Sequence, residues 1–519
     1  MATCFTPTTL VLRTFALLSL AMFLDKADQQ LLPAVFLQVC GDLDAGPSLL
    51  GTITLCRGLA MSLIALAAGP LSKRYDRVSI CAFGVGLWGV ATAAVGLAPS
   101  IWLLLIGRTI NGLGLGLVIP VVFALVADMF PPSQRGAAFG ILSCCSNFGG
   151  MSGSLLATEL GASIVVGMAG WRAAFHMVAL ASLAVALLLL LFARDPQPRS
   201  TTVDTPLSCA TALADLRTVL RLPTFGIILA QGAFGTVPWY SIGFFVMWLQ
   251  LSGHSNHASA LIRLAFDLGV TVGGLAGGFL NDYAARRSPD HGRVVVAQVS
   301  VGSGVPLFLI VLLVLPTVGA ADMAYYGVLL LTGGLISWCS SVNNAIMAEI
   351  TPSHLRPTIY GLDRTLEGII APAGTALVGL LAEHLFGFTT ADSCELPADG
   401  NASAAGAATA DDAAGGVSHN ATALAKALAA MMATPWTICF VAYSFMHRTY
   451  PVDRRRAGAL VWAHAPASAD ASSAPNVSSE ADGVSLVVQG GRAHADDAEA
   501  AAIASSPTAS PTKAEVQRA

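Results

Sequence analysis

Three charged side chains interrupt the first long apolar run of the sequence, residues 10–38. Asp25, Lys26 and Asp28 lie near its middle, and nothing else in the run resembles a loop. A charge at the centre of a bilayer costs about 2.5–3.5 kcal/mol by insertion scales, so it is tolerated where it faces a water-filled cavity or another charge. The run therefore predicts a membrane span and, within the membrane, a polar route.

Two arginines, Arg57 and Arg108, lie in further apolar runs at a similar predicted depth to Asp25 and Asp28. With a rise of 1.5 Å per residue, these four side chains fall within about one helical turn of each other. We therefore predict that they form a connected ion network facing a cavity. An arginine keeps a neighbouring carboxylate ionised, and parting of the helices would remove that support, which would link protonation to opening. A static buried network that fixes helix packing is the alternative. Lys26 either pairs locally with Asp25 or points away from it.

The second half of the chain also carries ionisable side chains within apolar runs. Asp363 and Glu367 share one helix face, so Glu367 is a second candidate for proton coupling. Arg263 and Asp267 have the i,i+4 spacing of an ion pair along a helix. The predicted substrate cavity consists of polar, charged or aromatic side chains: Gln29, Gln30, Trp239, Tyr240, Trp338, Ser341, Asn343, Asn344, Arg263 and Asp267. Hydrogen bonding between helices is the alternative role for any of them.

A third group of charges lies in loops and helix ends on one side of the predicted membrane. We predict that it forms a cytosolic gate, whose members pair when that side is shut: Arg77, Asp128, Arg135, Asp282, Arg286, Glu349, Arg356, Asp363 and Arg364. Asp363 and Arg364 are assigned to it because they lie towards the same helix end as Glu349 and Arg356. Attraction of the basic side chains to anionic lipid is the alternative.

The composition indicates a membrane protein. Apolar residues make up 55% of the 519 residues and charged residues 11%, whereas a soluble domain carries about a quarter charged residues. The formal net charge of −4 gives no case for nucleic-acid binding. The sequence contains no nucleophile, metal-ligand or phosphate-binding motif, so we expect neither an enzyme nor a cofactor or metal site. Cys40 and Cys394 lie in loops placed on the same side, so a disulfide between them stays open.

About twelve apolar runs of membrane-spanning length follow one another along the chain. They cover residues 10–38, 49–71, 78–98, 101–127, 136–160, 171–193, 223–251, 258–279, 294–315, 323–347, 358–381 and 424–445. Lipid cannot satisfy free backbone groups, and the runs are too long for barrel strands. The predicted fold is therefore an all-α membrane protein with twelve transmembrane helices.

The chain contains an internal repeat. Residues 127–140 align without a gap on residues 348–361, and residues 69–77 resemble residues 278–286. Each match falls in corresponding loops, which predicts two pseudo-symmetric six-helix halves around a central cavity. The predicted domains are an N-terminal half (1–193), a cytosolic linker (194–222), a C-terminal half (223–450) with a low-complexity outer loop (386–423), and a disordered cytosolic tail (451–519).

Basic residues are concentrated in alternate loops, which predicts that both termini are cytosolic. The loop after the eleventh run, predicted to lie outside, contains glycosylation sequons at Asn401 and Asn420. A third sequon, at Asn476, lies in the tail and should stay unmodified. We expect an integral multi-pass monomer embedded in the lipid bilayer of the plasma membrane or an endomembrane.

The motifs resemble those of the major facilitator superfamily over residues 10–451. The loop motif at 69–77 and the Arg108-Thr-Ile-Asn-Gly-Leu-Gly stretch carry this resemblance. Residues 24–33, 230–239 and 360–368 are similar to a plant and algal group near the Spinster-type carriers. The resemblance implies the twelve-helix carrier fold and proton coupling by a first-helix acid with a fourth-helix arginine, which Asp25 and Arg108 match. Lys73 and Leu115 depart from it, because acidic residues are usual at those positions.

We predict a secondary active transporter that moves a small organic or amphiphilic solute by alternating access and is coupled to protons. A lysolipid or sphingolipid substrate follows from the Spinster resemblance. A polar metabolite or organic anion is equally open, because Arg57, Arg108 and Arg263 could hold a carboxylate or phosphate. A non-transporting membrane sensor with a carrier fold is the alternative, and a sensor should lose the coupling acids and gain a large cytosolic domain.

Overall fold

Twelve helical spans make up the computed structural model, which describes residues 9–195, 217–315, 322–351, 355–389 and 419–463. The first six spans are span 1 (Thr9–Ala34), span 2 (Pro47–Arg74), span 3 (Arg77–Gly96), span 4 (Ile101–Met129), span 5 (Pro132–Gly161) and span 6 (Gly170–Phe192). A short helix, Phe36–Leu43, follows span 1. A two-stranded hairpin, Ile164–Val165 with Met168–Ala169, joins spans 5 and 6.

Three of the six spans in the second half are interrupted. Span 7 consists of Pro223–Gly235, Val237–Ser241, the 3-10 turn Ile242–Phe244 and Phe245–Leu251. Span 10 consists of Asp322–Ile336 and Cys339–Ile350, and span 11 consists of Arg356–Ile370, Ala373–Leu380 and the π turn Leu381–Leu385. The continuous spans are span 8 (Asn256–Arg287), span 9 (Gly292–Leu313) and span 12 (His419–Ala463). Proline has no N–H to donate, so Pro238 and Pro372 account for the breaks in spans 7 and 11.

The ends of the spans follow from local sequence. Pro47, Pro132 and Pro223 occupy the first helical position of spans 2, 5 and 7, where a missing N–H costs nothing. The carboxylate of Asp76 caps span 3 by accepting from the backbone N–H of Ser79.

The surface of the bundle is apolar, as a bilayer requires. Among the described residues, nine helical stretches are long and apolar enough to cross a membrane. The remaining three spans are span 1, which carries the charges described above, span 5 and the divided span 7. Large apolar side chains such as Leu66 (59%), Leu180 (68%) and Phe279 (79%) are exposed, and in lipid their exposure carries no hydrophobic cost.

The packing of the spans repeats between the two halves. Span 1 packs on span 5, span 2 on span 4, and span 3 on span 6; span 7 packs on span 11, span 8 on span 10, and span 9 on span 12. The halves meet through spans 2 and 11 and through spans 5 and 8. Span 2 corresponds to span 8 and span 5 to span 11, six spans later, so these two contacts are equivalent. The two six-helix halves are therefore pseudo-symmetric, as the sequence repeat predicts.

We name the two ends of the bundle by their residues. The terminal face contains Thr9, Arg77 and Asp195, and the distal face contains Leu43, Pro47 and Glu383. At the distal face the hydrophobic core joins both halves, since Phe36 and Phe244 lie in one cluster with ring centroids 4.7 Å apart. The second cluster, towards the terminal face, contains only residues of the N-terminal half. The two halves are therefore packed together at the distal face.

Two predicted boundaries in the second half were wrong. Span 12 begins at His419, inside the predicted outer loop 386–423, and it continues to Ala463, past the predicted start of the tail at residue 451. Residues 390–418 and 464–519 lie outside the described residues. Cys40 is disulfide-bonded, and Cys394, the partner considered from the sequence, lies outside them as well.

Candidate functional site

A buried ion cluster lies between spans 1, 2, 3 and 4 of the N-terminal half. Its centre is Asp28, whose carboxylate accepts hydrogen bonds from Thr92 Oγ1 at 2.7 Å, Asn111 Nδ2 at 2.9 Å and Arg108 Nη1 at 3.2 Å. Arg57 Nη2 lies 3.7 Å from the same carboxylate, and Arg57 Nε donates to Asn111 Oδ1 at 2.9 Å. We call Asp28, Arg57, Thr92, Arg108 and Asn111 the Asp28 cluster.

Close helix packing makes this cluster possible. A side chain at Gly112 would place its Cβ 2.4 Å from the carbonyl oxygen of Arg57, so only glycine lets span 4 approach span 2 this closely. The side chains of Asp28 and Arg108 are 0% and 1% exposed. One carboxylate thus serves two buried guanidiniums and also accepts hydrogen bonds from Asn111 and Thr92, while Arg57 Nη2 and Arg108 Nε have no hydrogen-bond partner among the described residues.

Asp25 lies one turn from Asp28 on span 1 but stays outside this cluster. Both of its carboxylate oxygens accept from Gln29 Nε2, at 3.1 and 3.0 Å, and Gln29 Oε1 accepts from Lys26 Nζ at 3.0 Å. Asp25 is fully buried. Tyr240 of span 7 lies within electrostatic range of Asp25, Arg57 and Glu367. In hydrogen bonds and ion pairs, the four-residue network predicted from the sequence divides into the Asp28 cluster and Asp25, which stays within electrostatic range of Arg57 and Asp28.

The C-terminal half contains a cavity of about 200 Å³ between spans 7, 9, 10, 11 and 12. Its wall includes the helix breaks at Gly235–Thr236 and Ile336–Cys339. We call it the acidic cavity and define it by Gln231, Trp239, Asn343, Asp363, Glu367 and Trp436. Discontinuous helices beside a cavity are typical of membrane carriers, because the freed backbone groups can face polar ligands.

The residues predicted for a substrate cavity are divided between this wall and other contacts. Trp239 and Asn343 line the acidic cavity, as does Glu367. The other predicted residues of the C-terminal half contact protein groups. Trp338 packs against Gly277, Ser341 Oγ donates to the Trp338 carbonyl, and Arg263 Nε donates to Asp267 at 3.0 Å. The backbone carbonyls of Asn344 and Tyr240 accept from Tyr360 and Thr375, and Gln29 and Gln30 lie on span 1 of the other half.

Ion pairs at the terminal face occur within each half. In the N-terminal half, Arg77 Nη1 donates to Asp128 at 2.5 Å, while its Nε and Nη2 donate to Asp195 at 2.7 and 2.8 Å. In the C-terminal half, Arg293 donates to Glu349 at 2.8 and 3.0 Å and lies 3.5 Å from Asp282.

Several gate predictions therefore need correction. Arg293, the second residue of span 9, occupies the place predicted for Arg286, which is exposed on the surface. Asp363 and Arg364 line the acidic cavity and do not pair with Glu349 in the described structure. The side chains of Arg135 and Arg356 lie outside the described part of the chain. The described pairs join residues of one half only, in a state with the distal face closed, so pairing of the gate residues when the terminal face is shut stays a prediction.

The two halves are clasped at the distal face. Glu383 of span 11 accepts from the backbone N–H and the hydroxyl of Ser48, at 2.8 and 2.5 Å. A Cβ at Gly379 would lie 2.2 Å from the Pro47 carbonyl oxygen, and one at Gly51 would lie 2.6 Å from that of Thr375. We call this contact the distal clasp. His257 of span 8 and Glu159 of span 5 meet at 2.6 Å on the other side of the bundle.

The glycosylation prediction at Asn420 was wrong for this fold. Asn420 is buried, its Nδ2 donates to the Thr389 carbonyl at 2.7 Å, and its Oδ1 accepts from the Thr389 N–H at 3.0 Å. A sugar on Nδ2 has no room at this buried position. Asn401 lies outside the described residues.

Sequence reasoning missed Thr92, Asn111, Gln231 and Trp436. Each of the first three is an uncharged polar side chain within a largely apolar run. Polar residues at such positions bond across helices, which is the signal that could have identified them. Trp436 resembles any lipid-facing tryptophan in the sequence and gave no signal.

Twelve spans in two related halves, with a buried ion cluster in one half and a cavity in the other, define an integral multi-pass membrane protein with a carrier architecture. Residues 18–375 match the family model for the Major Facilitator Superfamily. The chain belongs to this superfamily of transporters, and its predicted resemblance and fold are confirmed.

Relatives support the same assignment. The chain is 24% identical over 401 residues to the probable anion transporter 4 of Arabidopsis thaliana, which covers 72% of this chain and 73% of the relative. It is 23% identical over 384 residues to protein spinster of Drosophila melanogaster, at 72% and 62% coverage. Its fold matches that of a bacterial homologue of the human lysosomal transporter Spinster in an inward-facing, unoccupied conformation, with a TM-score of 0.71, 20% identity, and coverage of 86% of this chain and 99% of the other.

Proposed function

We propose that this protein is a secondary active transporter that moves a small organic or amphiphilic solute by alternating access and couples this movement to protons. The observation that supports it most directly is the fully buried carboxyl of Asp25 in the interior of span 1. An ionisable side chain inside a membrane bundle marks an ion or substrate path by default.

The packing of the halves supports a rocking motion. The described contacts between them run from Pro47–Gly379 at the distal face to Ser62–Gly368 deeper in the bundle. Opening of the distal clasp would expose the space between the two halves to the distal side of the membrane. The basic loops favour a cytosolic terminal face, so we assign the described state to a carrier closed towards the outside.

The two acids of span 1 suit different tasks. Protonation of Asp28 would give up its contacts with the two guanidiniums of Arg57 and Arg108. Protonation of Asp25 would break no ion pair within 4 Å among the described residues; it would disturb the hydrogen bonds from Gln29 and remove the longer-range attraction to Lys26 and Arg57. We therefore assign proton exchange to Asp25 and a scaffolding role to Asp28, with Glu367 as a second coupling group.

Replacement of Asp25 by asparagine should uncouple transport. We expect gradient-driven uptake into proteoliposomes to fall at least about tenfold, the effect of about 1.4 kcal/mol in the limiting step, because an amide cannot exchange the coupling proton. Counterflow exchange of the same solute without a gradient should persist. The assay uses a panel of labelled solutes with an imposed pH gradient.

Asp44→Asn is the matched control, since Asp44 is exposed in the loop before span 2 with a φ of 49°, a conformation that asparagine adopts readily. Full gradient-driven accumulation by Asp25→Asn would refute the coupling assignment. If no solute in the panel enters the unsubstituted carrier, the sensor alternative gains support.

A further inference from the structure

The charged side chains in the wall of the acidic cavity favour a positively charged ligand. Its charged wall residues are Asp363, Glu367 and Arg364. Arg364 Nη1 pairs with Glu367 Oε2 at 3.3 Å, and the Arg364 side chain is 58% exposed. Asp363 is 2% exposed, and its Oδ1 has no hydrogen-bond partner among the described residues. Asp363 and Glu367 therefore share the single guanidinium of Arg364, and the wall contains one more carboxyl group than guanidinium groups.

The uncharged side chains of the wall also favour a cation, and specifically an organic one. The indole of Trp436 already donates its N–H to the Gly235 carbonyl at 3.3 Å, and with Trp239 it contributes aromatic surface to the wall. Aromatic faces beside a carboxylate attract organic cations through the ring quadrupole. Gln231, 2% exposed, accepts from Cys439 Sγ and keeps its Nε2 without a partner in the described structure, so it can donate to a hydroxyl or ether oxygen.

Each of the three arginines considered for an anion has a carboxylate neighbour, and Arg57 Nη2 and Arg108 Nε have no hydrogen-bond partner among the described residues. Arg57 and Arg108 share Asp28, and Arg263 is paired with Asp267 at 3.0 Å. An anion at Arg263 would displace Asp267 from an ion pair, which is costly, and none of these three arginines lines the acidic cavity. The cavity of about 200 Å³ is also larger than one or two bound waters require.

We infer that the acidic cavity binds the ammonium group of an organic cation between Asp363, Trp239 and Trp436. This inference rests on the proposed transport function and specifies its substrate class. The ammonium group could belong to a small water-soluble amine or to the head of an amphiphile, and both share the same contacts: charge on Asp363, ring faces around the methyl or methylene groups, and the Gln231 amide on a neighbouring oxygen.

Binding to the purified full-length protein in lipid nanodiscs tests this inference without any gradient. The probes are choline and its neutral isostere 3,3-dimethyl-1-butanol, together with the anion 3,3-dimethylbutanoate, and the readout is intrinsic tryptophan fluorescence. We expect choline to bind at least about tenfold tighter than either comparison compound. A second arm compares dodecyltrimethylammonium, below its micellar concentration, with choline. Tighter binding of the amphiphile assigns the site to a lipid-like cation, and equal binding assigns it to a small one.

Asp363→Asn should reduce choline affinity to that of the isostere. Trp239→Leu should weaken choline binding through loss of the ring face. If one of the two variants fails to fold, the other still tests the inference. Asp44→Asn should bind choline like the unsubstituted protein. Equal or tighter binding of the isostere or the anion, or unchanged choline affinity in both cavity variants, would overturn the inference. Absence of choline binding in a protein that accumulates some solute would refute only this inference, whereas choline binding without any uptake would refute only the transport proposal.

Discussion

Replacement of Asp28 by asparagine should destabilise the folded protein by about 3–5 kcal/mol, because two buried guanidiniums would lose their common counter-charge. Arg108 is 1% exposed and Arg57 is 10% exposed at the side chain, so water cannot replace the lost interaction. The asparagine fills nearly the same volume, and the effect is therefore one of charge and not of packing.

A double-mutant cycle with Arg108→Gln separates the ion pair from other effects. The single variants should both unfold at lower temperature or denaturant concentration in detergent, and the double variant should lose less than the sum of the two, with a coupling of about 1–3 kcal/mol. Gln30→Ala, on the same helix, is the control and should change stability little. Additive effects within about 0.5 kcal/mol would mean that Asp28 and Arg108 do not depend on each other.

Replacement of Gly379 by valine should abolish transport by preventing closure of the distal clasp. The Cβ alone would lie 2.2 Å from the carbonyl oxygen and 2.5 Å from the carbonyl carbon of Pro47, and these are backbone atoms that cannot swing aside. Spans 2 and 11 would have to separate at the distal face. A carrier that cannot close one face loses one of the two states that alternating access requires.

Labelling of a cysteine introduced at Ser48 reports this separation. In the parent protein Ser48 contacts Glu383, so a membrane-impermeant thiol reagent should react slowly, and Gly379→Val should increase the rate. Gly327→Val is the matched control, because a Cβ at Gly327 meets no atom within 4 Å. Unchanged labelling and unchanged uptake in Gly379→Val would show that the clasp is not needed.

The sequence predicted the depth of the buried charges but not their pairing. Counting residues from the helix ends placed Asp25 and Asp28 at the level of Arg57 and Arg108. Which aspartate meets the arginines depends on Thr92 and Asn111, which spans 3 and 4 bring to Asp28. Those contacts arise from the rotation of neighbouring helices, which one-dimensional spacing does not contain.

The internal repeat predicted the two-half architecture because the matching loops lie six spans apart. It did not predict the ion pairs of the second half, because the loop aligned with residues 69–77 ends at Arg286, whereas Glu349 is reached by Arg293 at the start of span 9. The acidic cavity was only partly predicted. Trp239, Asn343 and Glu367 stood out as polar or aromatic, but the break in span 10 that completes the wall has neither proline nor glycine at Ser337 and Trp338.

A reversible cross-link across the distal clasp tests the central claim most directly, that transport requires opening of this face. Ser48→Cys with Glu383→Cys can be joined by a short thiol-specific cross-linker that contains a disulfide, because the shorter cysteine at 383 leaves a gap where the glutamate reaches Ser48. In proteoliposomes, cross-linking should stop uptake, and cleavage of the linker by reduction should restore it. The protein without the cysteine pair receives the same treatment, which controls for its disulfide-bonded Cys40, and should keep its activity. Undiminished uptake by the fully cross-linked protein would contradict the account.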